Sequence, residues 1–283
     1  MPQRLPLLIR IAFVTERARC TVEHLQGLLS EEVLWAWTRP RQREVINRIV
    51  YSGKVNFLPG GEIFEEGLLD WERIAFATPP FPPGGRILLG GAGGGRELVQ
   101  LCRRGYDVVA FDPCERLCEG AQQVASGYPK NTVVCASYED LVTAAEQQTG
   151  PLAAHVLNAS FDVVLFGLRS FNYVFTESDR KALLRATRTI APKAPLLFSF
   201  MSRCQSAENG RLDRLRAPIR RLFALLRAPS ARHPGDKFFS SSGFIHYLSL
   251  DEVRTVADQA GYRIVYCRQG STAPHHHALL IPQ

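Results

Sequence analysis

From about residue 84 to the end of the chain, short apolar runs alternate with stretches patterned as helices. The runs at 86–90, 108–112, 131–136, 161–166 and 195–201 predict strands. The run at 161–166 is apolar almost throughout, as a strand buried on both faces requires. Between them, 115–126 and 176–190 predict helices, the second opened by a cap pair at Thr176 and Asp179. Further on, 244–253 leads from a strand into a helix that Ser249 or Asp251 caps and Gly261 closes, and a strand follows over 260–267. A last strand is predicted at 277–281. Strands alternating with helices in this order give an α/β fold around a mostly parallel sheet.

Two regions lie outside that alternation. Residues 1–83 read as helices, notably 31–50, followed by 51–57, a turn at 59–61 and a stiff proline-rich linker over 78–85. The stretch 202–243 is inserted between the fifth strand and the last helix; it is helical at 212–226 and ends in an aromatic segment at Lys237, Phe238 and Phe239. The expected organisation is a helical N-terminal cap or substrate lid at 1–83, then an α/β domain at 84–283 carrying an inserted lid at 202–243. Ligands of open α/β sheets lie at the carboxyl ends of the strands, and both regions are placed to roof that crevice.

The richest local pattern is the turn after the first of these strands, with Gly91, Ala92, Gly93 and Gly95 in sequence, and Asp112 about 20 residues later at the tip of the next strand. Glycine reaches positive φ and carries no Cβ, so the backbone can approach a ligand closely and turn into a helix. Asp112 can accept hydrogen bonds from both hydroxyls of a ribose, and Pro113 ends its strand. A dinucleotide fingerprint would need a small residue at 96, where this chain has Arg96. The unit therefore reads adenosine without reading pyrophosphate.

The pattern G-x-G-x-G at Gly91, Gly93 and Gly95 resembles motif I of the class I S-adenosylmethionine-dependent methyltransferases, and the segments at 161–173, 244–253 and 260–267 follow in the order that family shows. The resemblance spans about 84–283. It implies a Rossmann-like seven-stranded sheet with helices on both faces, the last strand inserted antiparallel. S-adenosylmethionine would be the methyl donor and S-adenosylhomocysteine the product. Asp112 would hold the ribose, Ser137 and Tyr138 would edge or cover the adenine, and Phe166 and Gly167 would line the cofactor. Two positions depart from the family pattern. Leu89 stands where an acid often precedes the first motif glycine, and an acid from elsewhere could replace it near the methionine end; Ser137 stands where another acid is common.

Methyl transfer to a heteroatom is an in-line displacement, which asks the protein for alignment and desolvation and for a base only if the acceptor carries a proton. His246, before the last helix, is the expected base, since an ordinary imidazole titrates near about 6.5. Tyr51, Arg169, Asn172, Tyr173 and Tyr247 are the expected substrate contacts, with Arg169 suited to an anionic carboxylate or phenolate. A small-molecule acceptor is expected, natural products included, with oxygen ahead of nitrogen as the receiving atom.

Composition changes this picture in only two places. The net charge of +7, concentrated over 39–48 and 203–232, raises RNA or other nucleic acid as an alternative substrate. Against it, the segment after the fourth strand lacks the Asn/Asp-Pro-Pro-aromatic motif used on base amino groups. A non-catalytic, methyltransferase-like scaffold is a further alternative, motivated by Leu89 and Ser137. Seven cysteines without a C-x-x-C pair suit a reducing, cytoplasmic compartment. Cys114 and Cys118 read as ordinary helix residues, and His275, His276 and His277 as a solvated loop, so no metal site is expected. The apolar run at 5–14 is interrupted by Pro6 and Arg10 and is too short to span a bilayer; it is expected to form a core-facing helix. A homodimer is an open alternative to a monomer.

Overall fold

The computed structural model describes residues 7–203, 207–230, 232–269 and 275–283. The chain divides into two compact units, one of Met1–Gln42 with Gln205–Pro234 and one of Arg43–Cys204 with Gly235–Gln283.

The first unit is built on α1 (Leu7–Trp37) and α10 (Ala207–Leu225). Their contact is ionic as well as apolar. Arg216 Nη2 lies 2.6 Å from Glu31, Arg220 Nε lies 3.1 Å from Glu32, and Arg232 pairs with both glutamates. Trp37 meets Phe223 edge-on at 6.4 Å. The single helix expected at 31–50 is two helices. α1 ends at Trp37, where the Thr38 hydroxyl donates to the Leu34 carbonyl, and α2 (Pro40–Ser52) starts on a proline, whose missing N–H costs nothing at a first helical position. The run at 5–14 falls within α1 from Leu7 onward, but its side chains lie outside the described residues.

The second unit opens with short helices, α3 (Glu62–Glu65) and α4 (Asp70–Phe76), before the sheet begins. Its elements then run β1 (Gly85–Gly90), α5 (Arg96–Arg103), β2 (Tyr106–Asp112), α6 (Glu115–Ala125), β3 (Thr132–Cys135), α7 (Tyr138–Gln147), α8 (Ala153–Val156), β4 (Val163–Phe166), α9 (Glu177–Ile190) and β5 (Leu196–Met201). After α10 come β6 (Asp236–Phe239), β7 (Gly243–His246), α11 (Leu250–Gln259), β8 (Tyr262–Gln269) and β9 (His275–Pro282). The seven-stranded sheet has the order β3-β2-β1-β4-β5-β9-β8, with β1 to β5 parallel and β9 antiparallel to both its neighbours. This is the Rossmann-like α/β architecture expected, including the inserted antiparallel strand.

The pleat splits the core in two. Leu88, Val109, Val164, Phe166 and Phe198 face α7, α9 and α11 through Leu141, Leu183 and Val253. Ile87, Leu89, Val108, Ala110 and Leu165 face the other way, against Leu98 and Leu101 of α5 and Ala121 of α6. Burial on both sides explains why these strands read as continuous apolar runs.

Two local expectations need correction. Residues 243–246 belong to a separate hairpin, β6 with β7, rather than to the main sheet. The histidines are not a solvated loop: β9 begins at His275, and His276 and His277 pair with Phe200 and Ser199 of β5. Ring packing makes that tolerable, since His276 stacks on Phe200 at 5.5 Å and the buried His277 stacks on Trp71 at 5.1 Å.

Candidate functional site

The sheet order reverses at β1, flanked by β2 on one side and β4 on the other, so the crevice opens beyond the carboxyl ends of these strands. The turn leaving β1 supplies its floor. Gly91, Gly93 and Gly95 all hold positive φ, at 68°, 54° and 96°, but for different neighbours. A side chain at Gly91 would run into Ser170, and one at Gly95 into Ala121 and Val124 of α6. Only the space over Gly93 is open, with nothing within 4 Å of an added Cβ. Gly94, between them, is crossed by the Phe57 carbonyl. Ala92 is buried, and its N–H donates to the Phe111 carbonyl at 3.1 Å, which ties the turn to β2.

Asp112 stands at the tip of β2 beside that opening. Its Oδ2 accepts the Gly93 N–H and its Oδ1 the Cys114 N–H, each at 2.9 Å. Burial pushes its carboxyl up to about 6, against the pull of these two N–H groups. Pro113 is exposed and separates β2 from α6. The residues present therefore fit the nucleoside end of S-adenosylmethionine: an oriented carboxylate with spare lone pairs next to bare backbone.

The next positions are more structural than the sequence suggests. The Ser137 hydroxyl caps α7, accepting the Asp140 N–H at 3.1 Å and donating to Asp140 Oδ2 at 2.8 Å. Tyr138 is wedged between Phe111 and Phe166, at ring distances of 5.5 and 5.0 Å, and its hydroxyl is 2.6 Å from Ser170 Oγ. Burial raises its pKa strongly, so it stays neutral. Phe166 is fully buried beneath that ring. Gly167 must lack a side chain, because a Cβ there would strike the Gly91 carbonyl.

On the far side of the turn lies a buried ionic cluster that the sequence reading did not single out. Arg96 pairs with Glu97 and, at 2.8 Å, with Glu72; its other nitrogen reaches the Gly67 carbonyl. All three charged side chains are at most 5% exposed. Two charged residues at the head of a helix normally read as solvated, and Arg96 and Glu97 show no sequence signal of burial.

The expected substrate residues separate into two groups. Tyr51, Arg169, Tyr173 and Tyr247 come together: the Tyr51 and Tyr173 hydroxyls are 2.5 Å apart with rings crossing at 88°, and Arg169 lies within electrostatic range of all three phenols and of Glu66. Burial raises the pKa of Tyr51, Tyr173 and Tyr247 and lowers that of Arg169. Arg169 adopts φ 59°, a left-handed conformation that costs a residue with a Cβ about 1–2 kcal/mol, and its Nε is buried without a hydrogen-bond partner. Its backbone N–H donates to Ser199 Oγ at 2.9 Å.

Asn172 and His246 do not join that group. Asn172 is fully buried and spans the end of β5 and β7: its Nδ2 donates to the carbonyls of Met201 and His246, at 3.2 and 2.6 Å, and its Oδ1 accepts the Met201 N–H at 2.8 Å. His246 is 2% exposed, with Nδ1 at 2.7 Å from Asp236 and Nε2 at 3.5 Å from Glu252. That second separation is an ion-pair distance too long for a good hydrogen bond, and Nε2 has no hydrogen-bond partner. Burial opposes charge on this ring, but the two carboxylates carry its pKa above the ordinary value. An imidazole held between two carboxylates favours the protonated form, which has no lone pair for a substrate proton.

No protein-family model matches the sequence, and no curated protein matches it. Solved structures do. The chain superposes on a methyltransferase from Leishmania major that depends on S-adenosylmethionine, with a TM-score of 0.53 and 16% identity over 85% of this chain and 82% of that one. It also superposes on another from Methanosarcina mazei, with a TM-score of 0.52 and 14% identity over 76% of this chain and 98% of that one. The chain has the fold of the S-adenosylmethionine-dependent methyltransferases.

Proposed function

We propose that this chain is an S-adenosylmethionine-dependent methyltransferase acting on a small molecule that presents an anionic oxygen, with nitrogen the second choice of acceptor atom. The observation that carries the reading is the Asp112 carboxylate, fixed by the Gly93 N–H beside the open space over Gly93 at the β1–β2 edge of the crevice. When bound, the cofactor supplies a methyl group already activated on a sulfonium. Asp112 would accept the ribose hydroxyls, Tyr138 and Ser170 would close the side of the crevice, and the Gly91 and Gly167 backbones would set its depth.

The acceptor falls to the Arg169 group. A guanidinium with a buried, unpartnered Nε and three phenols around it suits a carboxylate or phenolate, which it would hold ionised and aimed along the displacement axis. An acceptor that arrives as an anion needs no base. This reading makes His246 a strut within the β6–β7 hairpin and asks Arg169 only to keep the acceptor in the ionised form in which it arrives from solution.

A nucleic-acid substrate fits less well, because Arg216, Arg220 and Arg232, part of the positive stretch at 203–232, are spent on Glu31 and Glu32. Five described cysteines are free thiols, which supports a reducing, cytoplasmic setting. Among the described residues no helix is long and apolar enough to cross a membrane.

Calorimetric titration with S-adenosylmethionine and S-adenosylhomocysteine tests the cofactor. Wild-type protein should bind both, and Asp112→Ala should bind about 10- to 100-fold more weakly, the worth of a charge-assisted hydrogen bond. Absence of binding at millimolar cofactor would leave the scaffold reading. For the acceptor, Arg169→Met should raise KM for carboxylate or phenolate acceptors and spare cofactor affinity; equal turnover of neutral and anionic acceptors by both proteins would remove the anionic class.

A further inference from the structure

The methionine half of the cofactor carries an ammonium that needs an acceptor, and β1 does not provide one. Leu89, two residues before the first turn glycine, is fully buried against Ile87, Leu98, Leu101 and Leu165 on the α5 face of the sheet. Position 89 therefore offers the crevice an apolar side chain and no carboxylate. Glu97 approaches the same place from the first turn of α5. Its Oε1 accepts the Leu168 N–H at 3.1 Å, and a Cβ added at Gly167 would stand 3.4 Å from the same oxygen. This puts the carboxylate against the backbone where β4 ends and the Gly91 carbonyl crosses Gly167, at the switch point between β1 and β4.

Charge points the same way. The buried cluster holds two carboxylates, Glu72 and Glu97, and a single guanidinium, Arg96. Asp112 adds a third carboxylate close enough to feel Glu97. Low-dielectric surroundings make an excess of negative charge costly, and a cationic ligand relieves it. S-adenosylmethionine carries both a sulfonium and an ammonium.

Resting on the cofactor reading above, we propose that Glu97 is the binding residue for the cofactor's ammonium, replacing the acid that β1 lacks, with Arg96 and the Leu168 N–H holding its carboxylate in position. Glu97 then reads the amino-acid half of the cofactor, and Asp112 the nucleoside half.

The two halves can be tested apart with two probes, S-adenosylhomocysteine and 5′-methylthioadenosine, which lacks the amino-acid tail. Glu97→Gln keeps an acceptor for the Leu168 N–H and loses the charge. It should bind S-adenosylhomocysteine at least tenfold more weakly in calorimetry and 5′-methylthioadenosine within twofold of wild type. Equal losses on both probes, or full retention of S-adenosylhomocysteine affinity, would overturn the assignment. If Glu97→Gln does not fold, Glu97→Asp keeps the charge but shortens its reach. Its loss should appear on S-adenosylhomocysteine and vanish on 5′-methylthioadenosine; a loss that persists on 5′-methylthioadenosine counts against Glu97. Wild-type protein that binds neither probe defeats the cofactor reading itself, whereas wild-type binding with an unaffected variant defeats Glu97 alone.

Discussion

Beside the glycine turn one guanidinium, Arg96, faces two carboxylates, Glu72 and Glu97; at the β6–β7 hairpin one imidazole, His246, faces two carboxylates, Asp236 and Glu252. The parallel extends to the helices. Glu72 also accepts the Leu69 N–H at the start of α4 at 2.7 Å, and Glu252 the Ser249 N–H at the start of α11 at 2.6 Å. In both places a glutamate that closes a helix end is reused as a counter-ion, fully buried at Glu72 and partly exposed at Glu252. The difference is permanence. Arg96 is charged at every accessible pH, and its cluster can serve as a fixed field beside a ligand. His246 is a cation only below its raised pKa, so its cluster loses its central charge as the solution becomes alkaline. A site that must recognise a cofactor at any pH is better built on the first kind, and a structural clasp can use the second.

The largest expected effect comes from removing the permanent charge. Arg96→Met leaves Glu72 and Glu97 buried without their cation and should cost about 3–5 kcal/mol in urea unfolding. A cost under about 1 kcal/mol would mean that the two clusters are equally expendable. His246→Gln should cost less, about 1–3 kcal/mol, since an amide still bonds Asp236. It should also change the pH profile. A histidine whose pKa is raised on folding contributes stability that is fully present below about 6.5 and is lost as pH rises through the folded value. Wild-type Tm should therefore fall as pH rises above about 6.5, and the glutamine variant should show a shallower fall. An identical slope in both proteins would make the imidazole a neutral packing group.

Glu72 offers a smaller contrast. Burial pushes its carboxyl up to about 7 despite Arg96, so the folded chain takes up a proton there before the unfolded chain does. Its contribution is complete below about 4.5 and disappears as pH rises through about 7. Glu72→Gln should flatten the Tm profile between those values and leave the slope from His246 intact. The smallest effect is expected at the helix end that feeds the imidazole cluster. Ser249→Ala removes the acceptor for the Glu252 N–H and should cost about 1 kcal/mol by thermal unfolding.

Local chemistry that repeats along the chain was readable in the sequence. The glycine turn, the apolar strands and the caps at Thr176 and Ser249 depend on neighbours within a few residues, and each lies where its pattern places it. Tyr51, Arg169, Tyr173 and Tyr247 each read as a pocket residue, and they lie together in the structure, although Tyr51 comes from α2, outside the sheet. What escaped depends on partners far away in sequence. Glu97 at the head of α5 looks like a solvated helix residue until Leu168 and Gly167 are brought to it. Asn172 looks like a pocket residue until Met201 and His246 occupy its amide. His246 looks like a base because a sequence shows one residue's pKa range and hides the two carboxylates that close on it. The histidine run looks like a loop until the rings of Phe200 and Trp71 are there to receive its alternating faces.

Arg169 bears one more consequence, for how this chain responds to selection. Its left-handed backbone suits glycine, and the same position holds a half-buried cation. A library screened for heat resistance alone should enrich Arg169→Gly, which relieves the backbone and the buried charge together. A library screened for turnover should discard that substitution at once. Position 169 would then mark where durability and work are traded against each other in this fold, at a single codon.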